Sequence, residues 1–167
     1  GFVTGPLTAT PAPTATRWTV VCKSPLTDGW GDANGSGFFG VALKRSGYDA
    51  VFFRGVAPQP VYLCLDNGRA ELRDATALWG LDCYALEDWV KAELGADFEA
   101  AGIGPAGERK VRIAGIVHAK GRVAARSGVG AVMGAKGLKM VAARDTQSVP
   151  LADPEAAKSL RHKYVGD

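Results

Sequence analysis

The sequence predicts an α+β fold with two β-sheets and short helices, related by a pseudo-twofold axis that reflects an internal duplication. The first observation is a glycine-rich segment, residues 29–40, in which five of the twelve residues are glycine. It follows an apolar, strand-like run at 18–22 and precedes a helix-like run at 38–44. The second observation is that the same order of elements recurs about ninety residues later, around residues 121–136.

The first half of the chain predicts strands on either side of a short helix. Residues 17–23 are β-branched or aromatic around an apolar centre, which is typical of a buried strand. The glycine-rich segment 29–40 is predicted to be a loop. A short helix over 37–45 should follow it and end at Gly47, and the mostly apolar residues 49–56 predict another buried strand.

The middle of the chain predicts a hairpin and a helix. Residues 60–65 and 69–73 flank an Asn-Gly dipeptide at 67–68, which favours a type I′ turn. Asp82 can cap a helix that runs to Leu94, because apolar residues recur there at helical spacing.

The second half repeats the first, with two predicted strands, a glycine-rich loop, a short helix and a final strand. In order, these cover residues 98–103, 110–118, 121–130, 131–136 and 138–143. The run Asp-Pro-Glu at 153–155 predicts another helix start, because Asp caps helices and Pro is favoured at the first helical position. We expect one domain over 1–150, incomplete at its N-terminus, and a helix beginning within 151–167 that leads to a further domain.

The internal repeat predicts the kind of ligand. The two copies cover about residues 5–55 and 104–144, and the Ser-Gly pairs at 36–37 and 127–128 correspond to each other. Glycine loops at helix starts present backbone N–H groups that suit phosphate. If the two loops meet at the axis, they could bind a roughly twofold ligand with two phosphates. Because facing phosphates repel, a divalent cation between them is expected.

Charge is unevenly distributed along the chain, although the net charge is only +3. Residues 109–144 contain nine Lys or Arg and no acid, whereas residues 66–99 contain nine acids and three basic residues. This pattern indicates an anionic ligand near the second glycine loop. Nucleic acid is disfavoured, because the basic residues alternate with glycine and alanine rather than with aromatic residues.

Cysteine spacing and hydropathy argue against a cysteine-bound metal site and against a membrane-spanning segment. The three cysteines, Cys22, Cys64 and Cys83, have no C-x-x-C spacing and cannot alone bind zinc or an iron–sulfur cluster. We expect Cys22 and Cys64, which lie inside apolar runs, to be buried free thiols, and we expect a cytoplasmic protein. No apolar run reaches the ~20 residues that cross a bilayer, so no membrane partner is expected.

The chain resembles the N-terminal domain of the aldehyde ferredoxin oxidoreductases over nearly its whole length. The run Arg-Trp-Thr-Val-Val-Cys-Lys-Ser-Pro at 17–25 and the form Gly-Asp-Ala-Asn at 31–34 look most like the branch containing the active-site subunits of tungsten-dependent benzoyl-CoA reductases. The motifs that carry the family resemblance are Cys22-Lys-Ser-Pro-Leu-Thr, Trp30-Gly-Asp-Ala-Asn, Gly47-Tyr-Asp-Ala-Val, Ile103-Gly-Pro-Ala-Gly-Glu and Gly130-Ala-Val-Met-Gly-Ala-Lys-Gly-Leu-Lys.

The resemblance implies that residues 1–150 form the base on which a bis-molybdopterin (tungstopterin) cofactor lies. Such a cofactor holds tungsten or molybdenum through four dithiolene sulfurs, and magnesium joins its two phosphates. By resemblance, Arg17 and Arg122 would contact the phosphates, and the backbone carbonyls of Asn34 and Val123 would bind magnesium. The implied cofactor-binding set is Arg17, Asn34, Gly35, Ser36, Arg122, Val123, Ala125 and Arg126. Ser36 and Ala125 stand where the family often has glycine.

Each of these residues also has an ordinary structural interpretation. Arg17 could be a surface arginine at a strand end, and Asn34 could merely cap the loop. Arg126 could be a charge on the sheet face. His118 ends an apolar strand, and we expect it to be structural rather than catalytic.

The resemblance implies that the full-length enzyme oxidises aldehydes to acids and passes electrons to a 4Fe-4S cluster in a later domain. Ferredoxin or another electron-transfer subunit would be its partner, and the assembly could be a homodimer. One alternative is the active-site subunit of a benzoyl-CoA or enoyl-CoA reductase that acts on an acyl-CoA substrate. Another is a non-catalytic phosphate-binding scaffold domain. No catalytic residue is expected within these 167 residues.

Overall fold

The structure, a computed structural model, describes residues 1–165 and contains two β-sheets. The first sheet is antiparallel and consists of β1 (Phe2–Thr4), β2 (Trp18–Lys23), β3 (Trp30–Gly35) and β4 (Ala50–Val51). The second sheet consists of β5 (Val61–Asp66), β6 (Arg69–Asp74), β7 (Phe98–Gly102), β8 (Ile116–His118), β9 (Arg122–Ala124) and β10 (Leu138–Arg144). Among the strands of the described residues, only β10 and β5 pair in parallel.

The helices are short, as predicted. They are α1 (Phe38–Arg45), α2 (Cys83–Trp89), α3 (Pro105–Glu108), α4 (Val129–Ala135) and α5 (Pro154–Val165). The Asp82 carboxylate accepts hydrogen bonds from the first turn of α2, which continues as a π-helical turn over Val90–Leu94 before Gly95. None of the described helices is long and apolar enough to cross a bilayer.

The strand orders of the two sheets reveal the duplication. The first sheet runs β3-β2-β1-β4, and the second contains β9-β8-β7-β10 in the same order, with antiparallel pairing between each of these neighbours. In each half, the third strand along the chain is followed by a short helix and then by the fourth strand. These elements are β3, α1 and β4 in the first half and β9, α4 and β10 in the second. The two-sheet α+β architecture with short helices is therefore confirmed. Strands β5 and β6 extend only the second sheet.

The main hydrophobic core lies between the two sheets. Trp18 stacks on Phe2 with ring centroids 5.8 Å apart and meets Phe39 of α1 edge to face at 4.8 Å. Helix α1 packs on β7 and β10, while α4 contacts β2 and β3, so the halves share one core. A smaller core on the other side of the second sheet includes Tyr62, Cys64, Leu86, Val90 and Met140.

The glycine-rich segments are not simple loops, and this part of the prediction was wrong. Residues 30–35 form β3, whose side chains alternate between exposed and buried. Glycine occupies two of the three buried positions, 31 and 35, and alanine the third. There is no room for a side chain at the two glycines: a Cβ on Gly35 would lie 2.2 Å from Trp18 Cε2. Likewise, the second predicted loop contains β9 and the start of α4.

Two predicted strands are shorter than expected. Of residues 110–118, only Ile116–His118 pair, because turns at 109–110 and 112–113 follow α3 and interrupt the extended backbone before Ile116. Of residues 49–56, only Ala50–Val51 pair, with β1. The hairpin at 67–68 forms with positive φ at both turn residues, as a type I′ turn requires.

Candidate anion site where the two hairpins meet

The outer strands of the two sheets, β3 and β9, contact each other. Two hydrogen bonds join the two halves of the chain at this contact, and the second half donates both. Ser127 Oγ of the second half donates to the backbone carbonyl of Asp32 in the first, at 3.2 Å. Arg122 Nη1 of the second half donates to Ser36 Oγ of the first, also at 3.2 Å. The two Ser-Gly pairs that correspond in sequence therefore lie at one junction, each bonded to the opposite half.

The carbonyl of Asn34 points away from its own sheet. Val21 exchanges backbone hydrogen bonds with Gly1, so its N–H and C=O face β1 rather than β3. Asp32 lies opposite Val21, and its backbone groups consequently face outward. Asn34, two residues further along the strand, has the same orientation. Its side-chain Oδ1 accepts a hydrogen bond from Thr19 Oγ1 at 2.9 Å.

The carbonyl of Val123 points outward for the same reason. Ile103 N–H donates to Lys139 on β10, so Gly102, one residue earlier, directs its backbone groups toward β8. Gly102 pairs with Val117, whose groups therefore face β7 and not β9. Val123 lies opposite Val117 and directs its C=O off the free edge of β9. The carbonyls of Asn34 and Val123 thus leave two edges that contact each other.

The junction depends on close backbone approach. A Cβ on Gly31 would lie 2.8 Å from Ser127 Cβ of the opposite half. Gly37, the residue before α1, has φ +89°, and a Cβ there would lie 3.3 Å from Arg122 Cδ. Glycine is needed at 37 for this conformation and lets the Arg122 side chain lie across the backbone.

Three exposed arginines belong to this region by position. Arg17 precedes Trp18, which pairs with Gly35, so the ladder places Arg17 opposite Ser36 at the same end of the hairpin. Arg126 lies between β9 and α4 with Ala125, and both are exposed. Over residues 1–165, no ion pair involves Arg17, Arg122 or Arg126. Their charges are uncompensated by protein, which suits an anionic ligand.

The sequence did not single out His118 as a site residue, but the structure places it directly under the junction. It is 2% exposed, meets the Trp18 ring edge to face at 5.3 Å and pairs with Arg122 across the β8–β9 hairpin. Within the described chain neither ring nitrogen has a hydrogen-bond partner. Burial, with a smaller contribution from the charge of Arg122, lowers the pKa of His118 to about 4.

Side chains alone do not form a metal site here. Among residues 1–165, no group of three His, Cys, Asp or Glu side chains is close enough to hold an ion. A cation at the junction would therefore need oxygens beyond those of a side-chain cluster, and hard cations such as Mg²⁺ accept backbone carbonyls and phosphate oxygens. The outward carbonyl oxygens of Asn34 and Val123 are suitable ligands for such a cation.

Comparison with known proteins shows which family this chain resembles. The family described as the aldehyde ferredoxin oxidoreductase N-terminal domain matches residues 1–145. The tungsten-containing aldehyde ferredoxin oxidoreductase of Pyrococcus furiosus is 45% identical over 152 residues, which cover 90% of this chain and 25% of that protein. An aliphatic sulfonate oxidoreductase WOR-like subunit from the same organism is 36% identical over 177 residues, which cover 98% of this chain and 28% of that subunit.

A solved structure has the same fold. The active-site complex BamBC of benzoyl coenzyme A reductase, in complex with 1,5-dienoyl-CoA, matches with a TM-score of 0.92 and 39% identity. The match covers 97% of this chain and 25% of that one. The chain therefore spans about a quarter of the length of the relatives it matches. This chain belongs to the aldehyde ferredoxin oxidoreductase family and corresponds to its N-terminal domain.

Proposed function

We propose that this chain is the cofactor base of a tungsten-dependent oxidoreductase and binds a bis-molybdopterin (tungstopterin) cofactor at the junction of β3 and β9. The observation that carries the proposal is the contact between β3 and β9, which we call the seam, together with the two hydrogen bonds that join the repeats there. The carbonyls of Asn34 and Val123 leave these two edges, and arginines without an ion pair lie beside them. A cofactor with two phosphate-bearing halves matches a seam with two similar sides. Tungsten-containing relatives at 45% identity support the choice of metal.

In this proposal the arginines bind the phosphates of the two pterins. A guanidinium offers a planar pair of donors that fits a phosphate, which a lysine ammonium cannot reproduce. Arg122 already lies at the seam on Ser36, and Arg17 lies opposite Ser36. Arg126 and the backbone at Gly35 and Ala125 complete the phosphate contacts.

The carbonyls of Asn34 and Val123 would hold a magnesium ion between the phosphates. Two phosphates at one seam repel each other, and a divalent cation between them removes much of that repulsion. Each half of the chain contributes one oxygen ligand, and these are backbone atoms whose position is set by the strands. This arrangement needs no carboxylate, in agreement with the absence of a metal-ligating side-chain cluster in the described residues.

When bound, the tungsten–pterin group supplies the redox chemistry, and this chain binds and orients it. For the whole protein we propose the oxidation of an aldehyde to an acid, with electrons passed through a 4Fe-4S cluster to ferredoxin or another electron-transfer subunit in the cytoplasm. The BamBC structure with its dienoyl-CoA supports a second candidate, the reduction of an acyl-CoA. Both candidates require the same cofactor base.

The test is the cofactor content of the full-length protein, produced with tungstate in the medium. We expect one tungsten and two pterins per wild-type chain, and a loss of about tenfold or more in tungsten in Arg122→Ala, since hydrogen bonds to charged groups contribute about 1.5–3 kcal/mol. Arg69→Ala is the matched control, because Arg69 is an exposed arginine on β6, at the opposite edge of the same sheet.

Elemental analysis and pterin fluorescence give the two readouts. A wild-type protein without tungsten or pterin would favour a non-catalytic scaffold domain and refute the proposal. Equal tungsten content in the Arg122 and Arg69 variants would refute the phosphate role of Arg122.

A further inference from the structure

His118 is a buried polar residue whose hydrogen-bonding capacity is unused. Its Nδ1 and Nε2 atoms are inaccessible and have no partner within residues 1–165, although most buried polar atoms in folded proteins are paired. The indole Nε1 of Trp18, on the neighbouring ring, is also unpaired. Two unpaired buried polar side chains therefore lie side by side at the seam.

The side chain of Arg122 lies beside the imidazole. The point where a Cβ of Gly37 would lie is 3.3 Å from Arg122 Cδ and 3.8 Å from His118 Cε1, so both side chains approach the same glycine. Arg122 is exposed and is held by a hydrogen bond to the Ser36 hydroxyl. A rotation of this long side chain toward a bound phosphate would open space beside the ring.

We propose that His118 is a ligand-binding residue of the seam, whose imidazole N–H donates a hydrogen bond to a phosphate-bearing ligand once Arg122 turns from Ser36 to that ligand. The inference rests on the proposed function, because it assigns a further residue to the same site. It explains why a polar ring occupies a position at which an apolar side chain would pack without an unpaired group.

The protonation state of the ring agrees with this role. Because the pKa of His118 is lowered to about 4, the imidazole is neutral near pH 7 and carries one N–H donor and one acceptor nitrogen. It can therefore donate to a phosphate without placing a buried positive charge beside the guanidinium of Arg122.

The experiment compares His118→Phe, which removes the donor, with His118→Gln, which keeps an N–H donor. Ile116→Val is the control for core packing, because Ile116 is also buried, on the same strand and the same face. The full-length protein is produced with tungstate, and three quantities are measured: tungsten per chain, pterin per chain, and the Tm of the cofactor-free form.

We expect His118→Phe to lower tungsten and pterin content about tenfold, without lowering the Tm of the cofactor-free form. His118→Gln should retain most of the cofactor, and Ile116→Val should load as wild type. Wild-type loading in His118→Phe would overturn the inference, as would a loss of cofactor in proportion to Tm across all three variants. A wild-type protein without tungsten and pterin would instead refute the proposed function itself.

Discussion

The two halves of the chain have the same strand order but contribute different chemistry to the seam. The first hairpin, β2–β3, is long, with six paired residues on each strand, and β3 carries no basic residue. The second, β8–β9, has three residues on each strand and carries Arg122, with Arg126 just after it. The duplicated backbone places a carbonyl from each half at the seam, whereas the arginines come mainly from the second half.

This difference separates the features that the two halves share from those that the proposed site assigns to ligand binding. The features common to both halves are the strand order, an outward backbone carbonyl, and a Ser-Gly pair before the helix whose hydroxyl bonds to the opposite half. In the proposed site the basic side chains can differ between the halves, because a phosphate would need positive charge nearby but not from a fixed strand position. The comparison predicts that backbone changes in either half affect stability, and that charge changes in the second half affect loading.

The largest predicted effect is a loss of folding stability when a methyl group is added where each half is most closely packed. A Cβ on Gly35 would lie 2.2 Å from the buried Trp18 ring, and one on Gly134 would lie 1.9 Å from the Gly107 carbonyl oxygen. We expect Gly35→Ala and Gly134→Ala each to lower the free energy of unfolding by about 3 kcal/mol. Chemical denaturation of the chain measures this.

Gly29→Ala is the matched control for these substitutions. A Cβ on Gly29 would meet Thr27 Oγ1 at an ordinary 3.7 Å, so we expect a change of at most about 0.5 kcal/mol. If Gly35→Ala and Gly29→Ala had equal effects, Trp18 would not be packed on Gly35 as described.

A smaller predicted effect is on the pH dependence of folding stability. It comes from His118 and has no counterpart in the first half. Because its pKa is lowered to about 4, the unfolded chain binds a proton at this residue below pH 6.5 that the folded chain does not. The folded state is therefore destabilised as the pH falls from 6.5 toward 4. Between pH 7 and pH 5 we expect His118 to account for a loss of about 2 kcal/mol.

The pH dependence of unfolding in His118→Phe isolates this contribution, since acidic residues titrate equally in both proteins. The difference in unfolding free energy between variant and wild type should grow in favour of the variant as the pH falls. A constant difference from pH 7 to pH 5 would contradict the assignment of a buried neutral imidazole.

Local signals in the sequence were enough for the elements that local chemistry determines. The Asn-Gly turn at 67–68, the Asp82 cap and the Asp153 cap are all present, because turn geometry and capping involve only neighbouring residues. The internal repeat was also readable, since it preserves the order of the elements. The resemblance to the family supplied the site residues, which composition and spacing could not.

Long-range packing determined what the sequence did not reveal. Residues 30–35 read as a loop because of their glycines, yet those glycines pack against Trp18 and Ser127, which are distant in sequence. His118 was predicted to be an ordinary structural residue, because its surroundings, the Trp18 ring and the Gly37 backbone, come from the other half of the chain. Neither relation leaves a pattern in a single local window.

The most direct test of the central claim is an experimental structure of the full-length, cofactor-loaded protein, in which the cation at the seam is identified. We predict one magnesium ion bound by the backbone oxygens of both Asn34 and Val123, each at about 2.0–2.1 Å, and in contact with both pterin phosphates. A cation bound by only one half of the chain or by carboxylates, or a cofactor bound away from the β3–β9 seam, would contradict the account.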